Sequence, residues 1–249
     1  MIIKKEKWIY CFLLFSIFLV SCNKENAWDC VKSAGEVSTE TRYLTDFNKI
    51  VIYDKIDVFL IADSISFVEV KSGKNIIPKL TTEIINNELT IKNENRCNWV
   101  RSFNIPFEVY VHYTNINQID ARGAGKIISR NTITTDTLLI NAWESVSTFD
   151  IDIETDYFKT ALHTGNPDMN VSGKTNKAFF YVNPNAYLNA LALASDYVSI
   201  TSNSPADCYL HAEANFIAVL NYVGNIFYTG NPDYLYIEEN HSGKCIALD

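Results

Sequence analysis

From Thr39 onward, apolar and polar residues come in short alternating bursts, not at the three-or-four-residue spacing of a helix. Ile50-Val51-Ile52-Tyr53, Val58-Phe59-Leu60-Ile61 and Phe67-Val68-Glu69-Val70 are such bursts, and Phe107 to Tyr113 alternates most cleanly. Successive strand side chains point to opposite faces, so period-two patterning rich in Ile, Val, Tyr, Phe and Thr predicts strands. Glu83 to Ile91 predicts a hairpin turning at Asn86-Asn87, because asparagine tolerates the left-handed backbone that tight hairpin turns require. No stretch carries the pattern of an amphipathic helix.

From about residue 116 the bursts recur. Apolar runs begin at Leu138, Phe158, Ala178, Val198 and Ile217, steps of 20, 20, 20 and 19, with Leu235 a further 18 on. A second series of small or turn-forming residues lies between them, at Val146, Asn166, Asn185, Ala206 and Asn225, with steps of 20, 19, 21 and 19. Two strand-and-turn phases in each unit are the mark of a repeat architecture. One coil cannot bury its own apolar side, whereas stacked coils share a continuous core. The pattern therefore predicts an all-β fold, a single-stranded parallel β-helix with roughly 20-residue coils, with Phe158, Thr160 and Leu162 facing inward. A β-sandwich competes, but its strands recur at about 8–12 residues. Residues 39–115 do not keep the period and are expected to cap the N-terminal end; residues 116–249 form the coils.

The start of the chain has a different character. Lys4, Lys5 and Lys7 precede an apolar run from Trp8 to Val20, which ends in Leu19-Val20-Ser21-Cys22. The run falls short of the about 20 residues of a membrane span, and a basic start before a short apolar core predicts a secretory signal. The final tetrapeptide resembles the lipobox of bacterial lipoproteins. That resemblance implies removal of residues 1–21 and diacylation of the Cys22 thiol, giving an outer-membrane lipoprotein of a Gram-negative-type envelope, on either side of that membrane. The alternative is an ordinary signal or anchor with Cys22 a plain thiol. Residues 22–38 then form the lipidated cysteine and a polar tether, and residues 39–249 the domain.

Charge narrows the partners. The chain carries a formal net charge of −8, and loss of residues 1–21, with three Lys and one Glu, makes it −10. This argues against nucleic acid and against a polybasic grip on lipid, so membrane attachment falls to the acyl chains. With Cys11 lost and Cys22 acylated, Cys30, Cys97, Cys208 and Cys245 remain. Four cysteines in an exported chain predict up to two disulfides; Cys30 with Cys97 and Cys208 with Cys245 is the favoured pairing of three. No C-x-x-C or H-x-x-x-H spacing supports zinc, and no metal or cofactor is expected.

Several local motifs occur in a characteristic order. They are Thr41-Arg42 with Phe47 and Ile50, Val70-Lys71-Ser72-Gly73-Lys74-Asn75-Ile76-Ile77-Pro78, Asn95-Arg96-Cys97-Asn98-Trp99-Val100-Arg101-Ser102, Gly123-Ala124-Gly125 with Ile127, Asn131-Thr132-Ile133, and Gly224 to Pro232. Over about residues 40–232 the chain resembles the auto-transporter adhesin family with the head GIN domain. The resemblance implies a β-helical domain, a role in adhesion or surface binding, and no catalytic residues. Ser145-Val146-Ser147 and Pro184-Asn185 depart from the glycine-rich corners of that pattern.

Candidate chemistry is sparse. Gly123-Ala124-Gly125-Lys126 lacks the spacing and helix of a phosphate loop and reads as a tight corner. Asp150, Asp152 and Asp168, with Lys174 or His163 as base, are the acids a β-helix polysaccharide lyase or hydrolase would need; simple alternation opposite Phe149, Ile151 and Ile153 explains them better. His112, His163, His211 and His241 are scattered and read as strand-face residues. Aromatic rings are more suggestive: Trp99, Trp143, Tyr181, Tyr187 and Tyr209 are the candidate ligand contacts, since rings with a polar edge suit sugar and protein surfaces. The sequence thus predicts a non-enzymatic, lipid-anchored envelope protein binding a glycan or a surface protein. A carbohydrate-active enzyme and a structural spacer are the alternatives.

Overall fold

The computed structural model describes residues 33–96 and 105–248. Cys22, Cys30, Cys97 and Trp99 lie outside the described residues. The strands are β1 (Val37–Tyr43), β2 (Lys49–Lys55), β3 (Asp57–Ala62), β4 (Phe67–Gly73), β5 (Leu80–Ile85) and β6 (Glu88–Asn93). Then come β7 (Glu108–Tyr113), β8 (Gln118–Ala124), β9 (Lys126–Ser129), β10 (Ile133–Ala142), β11 (Thr148–Leu162) and β12 (Asp168–Val182). The chain continues through β13 (Tyr187–Ser202), β14 (Cys208–His211), β15 (Asn215–Leu220), β16 (Ile226–Thr229), β17 (Tyr234–Glu239) and β18 (Cys245–Ala247). No α-helix occurs among the described residues.

The coils form a parallel β-solenoid of about six turns and ~20-residue coils, with three sheets. In the first sheet Leu138, Phe158, Ala178, Val198, Phe216 and Leu235 share one inward column. In the second, Ile127, Phe149, Met169, Leu188, Cys208, Ile226 and Cys245 do the same. The third is formed by Ile133–Thr135, Ile153–Thr155, Gly173–Thr175 and Leu193–Ser195. As expected, Phe158, Thr160 and Leu162 are buried. The corner from the third sheet to the first places two consecutive residues outward, Asp156 and Tyr157, between buried Thr155 and Phe158.

Three expectations are sharpened and a fourth is corrected. First, the inward column passes through Phe216, one residue before the apolar run at Ile217; the coil after Val198 is two residues short because β14 and β15 are joined by a tighter link. Second, residues 39–115 are more than a cap. β2 and β3 lie parallel against β8 and β9, and β6 and β7 lie parallel on their far sides. Two further rungs are thus laid down out of chain order, and antiparallel β5, β4 and β1 close the end. Third, the fold captures the chain before residue 39: Ala34 is buried, its carbonyl accepts from the Asn75 N–H at 3.0 Å, and β1 begins at Val37. Fourth, Cys208 and Cys245 are free thiols. Each is in register with Ile226 from opposite sides, which sets their Cα atoms about 9.6 Å apart at two strand spacings. A disulfide requires roughly 4.4–6.8 Å.

Both turn readings hold. Asn86 and Asn87 have φ of 53° and 63° in the hairpin between β5 and β6, the left-handed pair of a type I′ turn. Gly123 and Gly125 form a corner: the Gly123 carbonyl accepts from the Val146 N–H and from the Ser145 and Ser147 hydroxyls. The serine corner is tight despite its bulk. Ser145 is fully buried, and on the next rung Gly165 (φ 97°) lies so close that a Cβ would sit 2.0 Å from the Ser145 carbonyl oxygen, which together with its φ requires glycine.

Candidate functional site

Rings project from the outward positions of successive rungs, where alternation makes no demand for apolar side chains. Trp143 ends the first sheet. Its indole stacks on His163, one rung on, with centroids 3.6 Å apart and planes at 11°. The His163 ring in turn lies 5.9 Å from Tyr181. Trp143 and Tyr181 remain 39% and 38% exposed, so the stack keeps accessible faces. Burial first, and then the charge of Lys159, lowers the His163 pKa against a weaker opposing effect of Asp120, favouring the neutral imidazole.

A second row begins the second sheet, past the same corner. Tyr187 and Tyr209 lie 6.0 Å apart, and Tyr209 stacks on Phe227 at 5.2 Å and 15°. A third row crosses the first sheet: Tyr157 to Phe179 is 5.0 Å and Phe179 to Tyr197 is 5.5 Å. The structure therefore joins Trp143 with Tyr181 through His163, and Tyr187 directly with Tyr209, whose ring is extended by Phe227. Phe179 and Phe227 went unrecognised because a phenylalanine in a β-rich repeat reads as core. The phase in which it falls is the signal that separates them: Phe179 and Phe227 sit between buried residues on either side.

Polar ladders run beside the rings. Asn203 donates to Asn183 at 3.1 Å, Asn221 to Asn203 at 2.9 Å and Asn240 to Asn221 at 2.9 Å, while Asn183 donates to the His163 carbonyl. On the first sheet Asp120 accepts from Asn141 at 2.8 Å and from Gln118, and pairs with Lys49 at 3.1 Å. Burial pushes the Asp120 pKa upward, but the hydrogen bonds from Asn141, Gln118 and Lys49 outweigh it and hold the carboxyl below its ordinary value.

The three sequence-derived acids lie on one outward face, Asp150 and Asp152 two residues apart on β11 and Asp168 on β12 in register with Thr148. Asp152 accepts from Thr132 at 2.5 Å and from Ser172 at 3.1 Å, so its carboxylate bridges rungs. Asp168 accepts from Asn170, and Asp150 stands opposite Asn170 on the same sheet. His163 belongs to the ring stack, and Lys174 lies on the third sheet in register with Glu154. Two of the other histidines are strand-face residues, His112 stacking on Phe67 at 3.9 Å and His211 contacting Thr229 at 2.9 Å, whereas His241 lies in the link between β17 and β18, near Tyr222.

The described residues thus build a parallel solenoid with aromatic rings at outward positions of successive rungs. Residues 46–232 match the family described as "Putative auto-transporter adhesin, head GIN domain", and the chain belongs to that family. Among solved structures, a "putative adhesin" from Bacteroides fragilis NCTC 9343 is similar, with a TM-score of 0.75 and 19% identity over 86% of this chain and 97% of that one. A "putative adhesin" from Parabacteroides distasonis ATCC 8503 follows at a TM-score of 0.64 and 18% identity, over 86% and 98% of the two chains. A "putative lipid binding protein" from the same organism gives 0.61 and 16%, over 86% and 98%. At these identities the likeness is one of fold. No curated protein matches the chain.

Proposed function

We propose that this chain is a lipid-anchored, non-enzymatic binding protein of the cell envelope that adheres through the outward aromatic rows of its solenoid. The observation that carries this reading is the recurrence of rings on outward positions of successive rungs, with Tyr157, Phe179 and Tyr197 as a run of three on the first sheet. The inward columns already complete the core, so these rings are surplus to burial. Rings with polar edges add contact area at little rotamer cost. Membership of an adhesin-named family supports a cell-surface or envelope location. The lipid on Cys22 holds the domain to the outer membrane, and the partner is a glycan or a surface protein. Binding is favoured over catalysis because the Asp152 carboxylate is engaged between rungs, His163 is held in the ring stack with Trp143, and Lys174 stands in register with Glu154.

Two measurements test this. Beads carrying the full chain are flowed over surfaces coated with a neutral polysaccharide, a glycoprotein or an unglycosylated protein. Retention on at least one surface, lost when Tyr157, Phe179 and Tyr197 are replaced together by Ser, is expected; equal retention of that variant, or none on any surface, overturns the reading. For the anchor, Cys22→Ala abolishes metabolic labelling with a fatty acid, and continued labelling contradicts acylation at Cys22.

A further inference from the structure

The corner between the third and first sheets is the hollow of the solenoid. A cavity of about 640 Å³ opens there, within the roughly 300–1,000 Å³ of small-ligand sites. It is a trough along the solenoid axis. One wall is the row Thr134, Glu154 and Lys174, in register on three rungs; the other is Asp136, Asp156 and Asn176, at the outward-turned corner positions of the same rungs. Thr155 lies on the floor between the walls, buried and bonded to Thr175 at 2.9 Å. Thr114 and Asn115 stop the trough toward the N-terminal end, where Thr135 donates to Asn115 at 3.3 Å. In the other direction the first wall falls to Ala194, in register with Lys174, so that end is open.

We infer that this trough binds an extended, uncharged glycan lying along the solenoid axis. The inference rests on the binding reading above and names the ligand class. The lining is carboxylate, amide, hydroxyl and amine, with no apolar floor to hold a hydrophobic ligand. Carboxylates accept two hydrogen bonds each from neighbouring hydroxyls, amides both accept and donate, and Lys174 donates. This mixture matches a chain of vicinal hydroxyls. Asp156 accepts from Asn176 through one oxygen at 2.8 Å, which orients the carboxylate and leaves its second oxygen for a ligand. Three carboxylates against one lysine exclude an anionic polymer such as a uronate. The wall positions repeat at the strand spacing of about 4.8 Å, close to the length of one sugar in an extended pyranose chain, so each successive sugar meets its own pair of polar wall residues. Tyr157 directly follows Asp156 at the corner, and its ring stacks with Phe179, which places an aromatic platform at the rim.

The test is titration of the full chain, followed by NMR or calorimetry, with neutral hexasaccharides of β-1,4-glucan, β-1,4-mannan and β-1,4-N-acetylglucosamine, and with a hexagalacturonate as the anionic comparison. At least one neutral probe binds with millimolar affinity or better, and more tightly than the uronate. Glu154→Gln with Asp156→Asn weakens it about tenfold, the loss expected for one or two charge-assisted hydrogen bonds. Asp168→Asn, on the second sheet, leaves it unchanged. Both walls point outward, so the variants keep their melting behaviour; Asp136→Asn serves as a second wall variant if they do not. Absence of binding by every neutral probe, indifference to the wall variants, or preference for the uronate overturns the inference. Beads that are still retained on a surface while all glycan binding fails would sink the trough and spare the adhesion reading, whereas loss of both would sink both.

Discussion

Exchanging a large and a small residue along one core column tests the register of the solenoid directly. Phe158 and Ala178 are in register on neighbouring rungs and both fully buried. Ala178 is small because it sits among rings: Phe158 lies on the rung before it and Phe180 is two residues along, with the two phenyl rings edge to face at 6.0 Å. Phe158→Ala removes a buried ring and leaves a cavity, at about 3–5 kcal/mol. Ala178→Phe overpacks the same region, at about 1–3 kcal/mol. Independent sites would make the double variant worse than either, by about 4–8 kcal/mol in total. Side by side in one column, the new ring at 178 enters the space vacated at 158, and the pair couples by about 2 kcal/mol or more. Urea unfolding followed by far-UV circular dichroism on the three variants and the parent measures this. A double variant equal to the sum of the singles within about 0.5 kcal/mol refutes the register on which the core is built.

Three further outcomes follow from single side chains. Thr160 is fully buried between Ile140 and Phe180, and its hydroxyl has no partner; Thr160→Val should raise stability by about 1 kcal/mol, and destabilisation on unfolding would show that the hydroxyl is bonded. Burial pushes the thiols of Cys208 and Cys245 up to about 12, so both are slow to alkylate in the folded chain; after unfolding without reductant their peptides carry the alkyl label, and a Cys208–Cys245 disulfide-linked peptide would contradict the rung spacing. Because burial lowers the His163 pKa, the unfolded chain takes up its proton first as pH falls: this residue's contribution to stability is present above the ordinary value of 6.5 and declines below it. Protonation should quench Trp143 fluorescence with a midpoint below 6.5, a transition that His163→Phe removes; a midpoint above 6.5 would refute the assigned direction.

What was legible in the sequence was whatever local chemistry alone determines. The inward alternation of Phe158, Thr160 and Leu162 follows from period two and burial on one side. The hairpin at Asn86-Asn87 follows from the left-handed backbone that asparagine tolerates. The 20-residue steps follow from rungs that stack in chain order. Each failure has a matching cause. β6 and β7 stack on β2 and β3 out of order, so no fixed spacing marks those two rungs. The run at Ile217 keeps an apparent step of 19 although the column passes through Phe216, because both are apolar and the coil before them is two residues short. The ladder of Asn183, Asn203, Asn221 and Asn240 has steps of 20, 18 and 19, but it runs through corners, where asparagine reads as turn chemistry. The trough was hidden likewise: Asp136, Asp156 and Asn176 look like ordinary corner residues until register places them on one wall. Cys208 and Cys245 show the converse, for an even count in an exported chain suggests pairing whereas the column separates the two by a rung.

The order of rungs also gives the molecule a direction. The chain enters beside Asn75, where Ser33 accepts from the Asn75 side chain at 3.0 Å, at the end closed by β1, β4 and β5. From β6 through β17 the first sheet stacks nine strands, which spans about 38 Å at the strand spacing. Cys22 precedes Ser33 by 11 residues, a reach of at most about 40 Å. With the proposed lipid on Cys22, the tether would join the rod at its closed end, and the exposed Tyr234 and Tyr236 of the last coil lie at the opposite end. The trough occupies the rungs of β10 to β12, in the middle of the rod, and runs parallel to its axis. A polymer seated there would therefore lie along the rod, crossing the rungs of β10 to β12 rather than following any one strand.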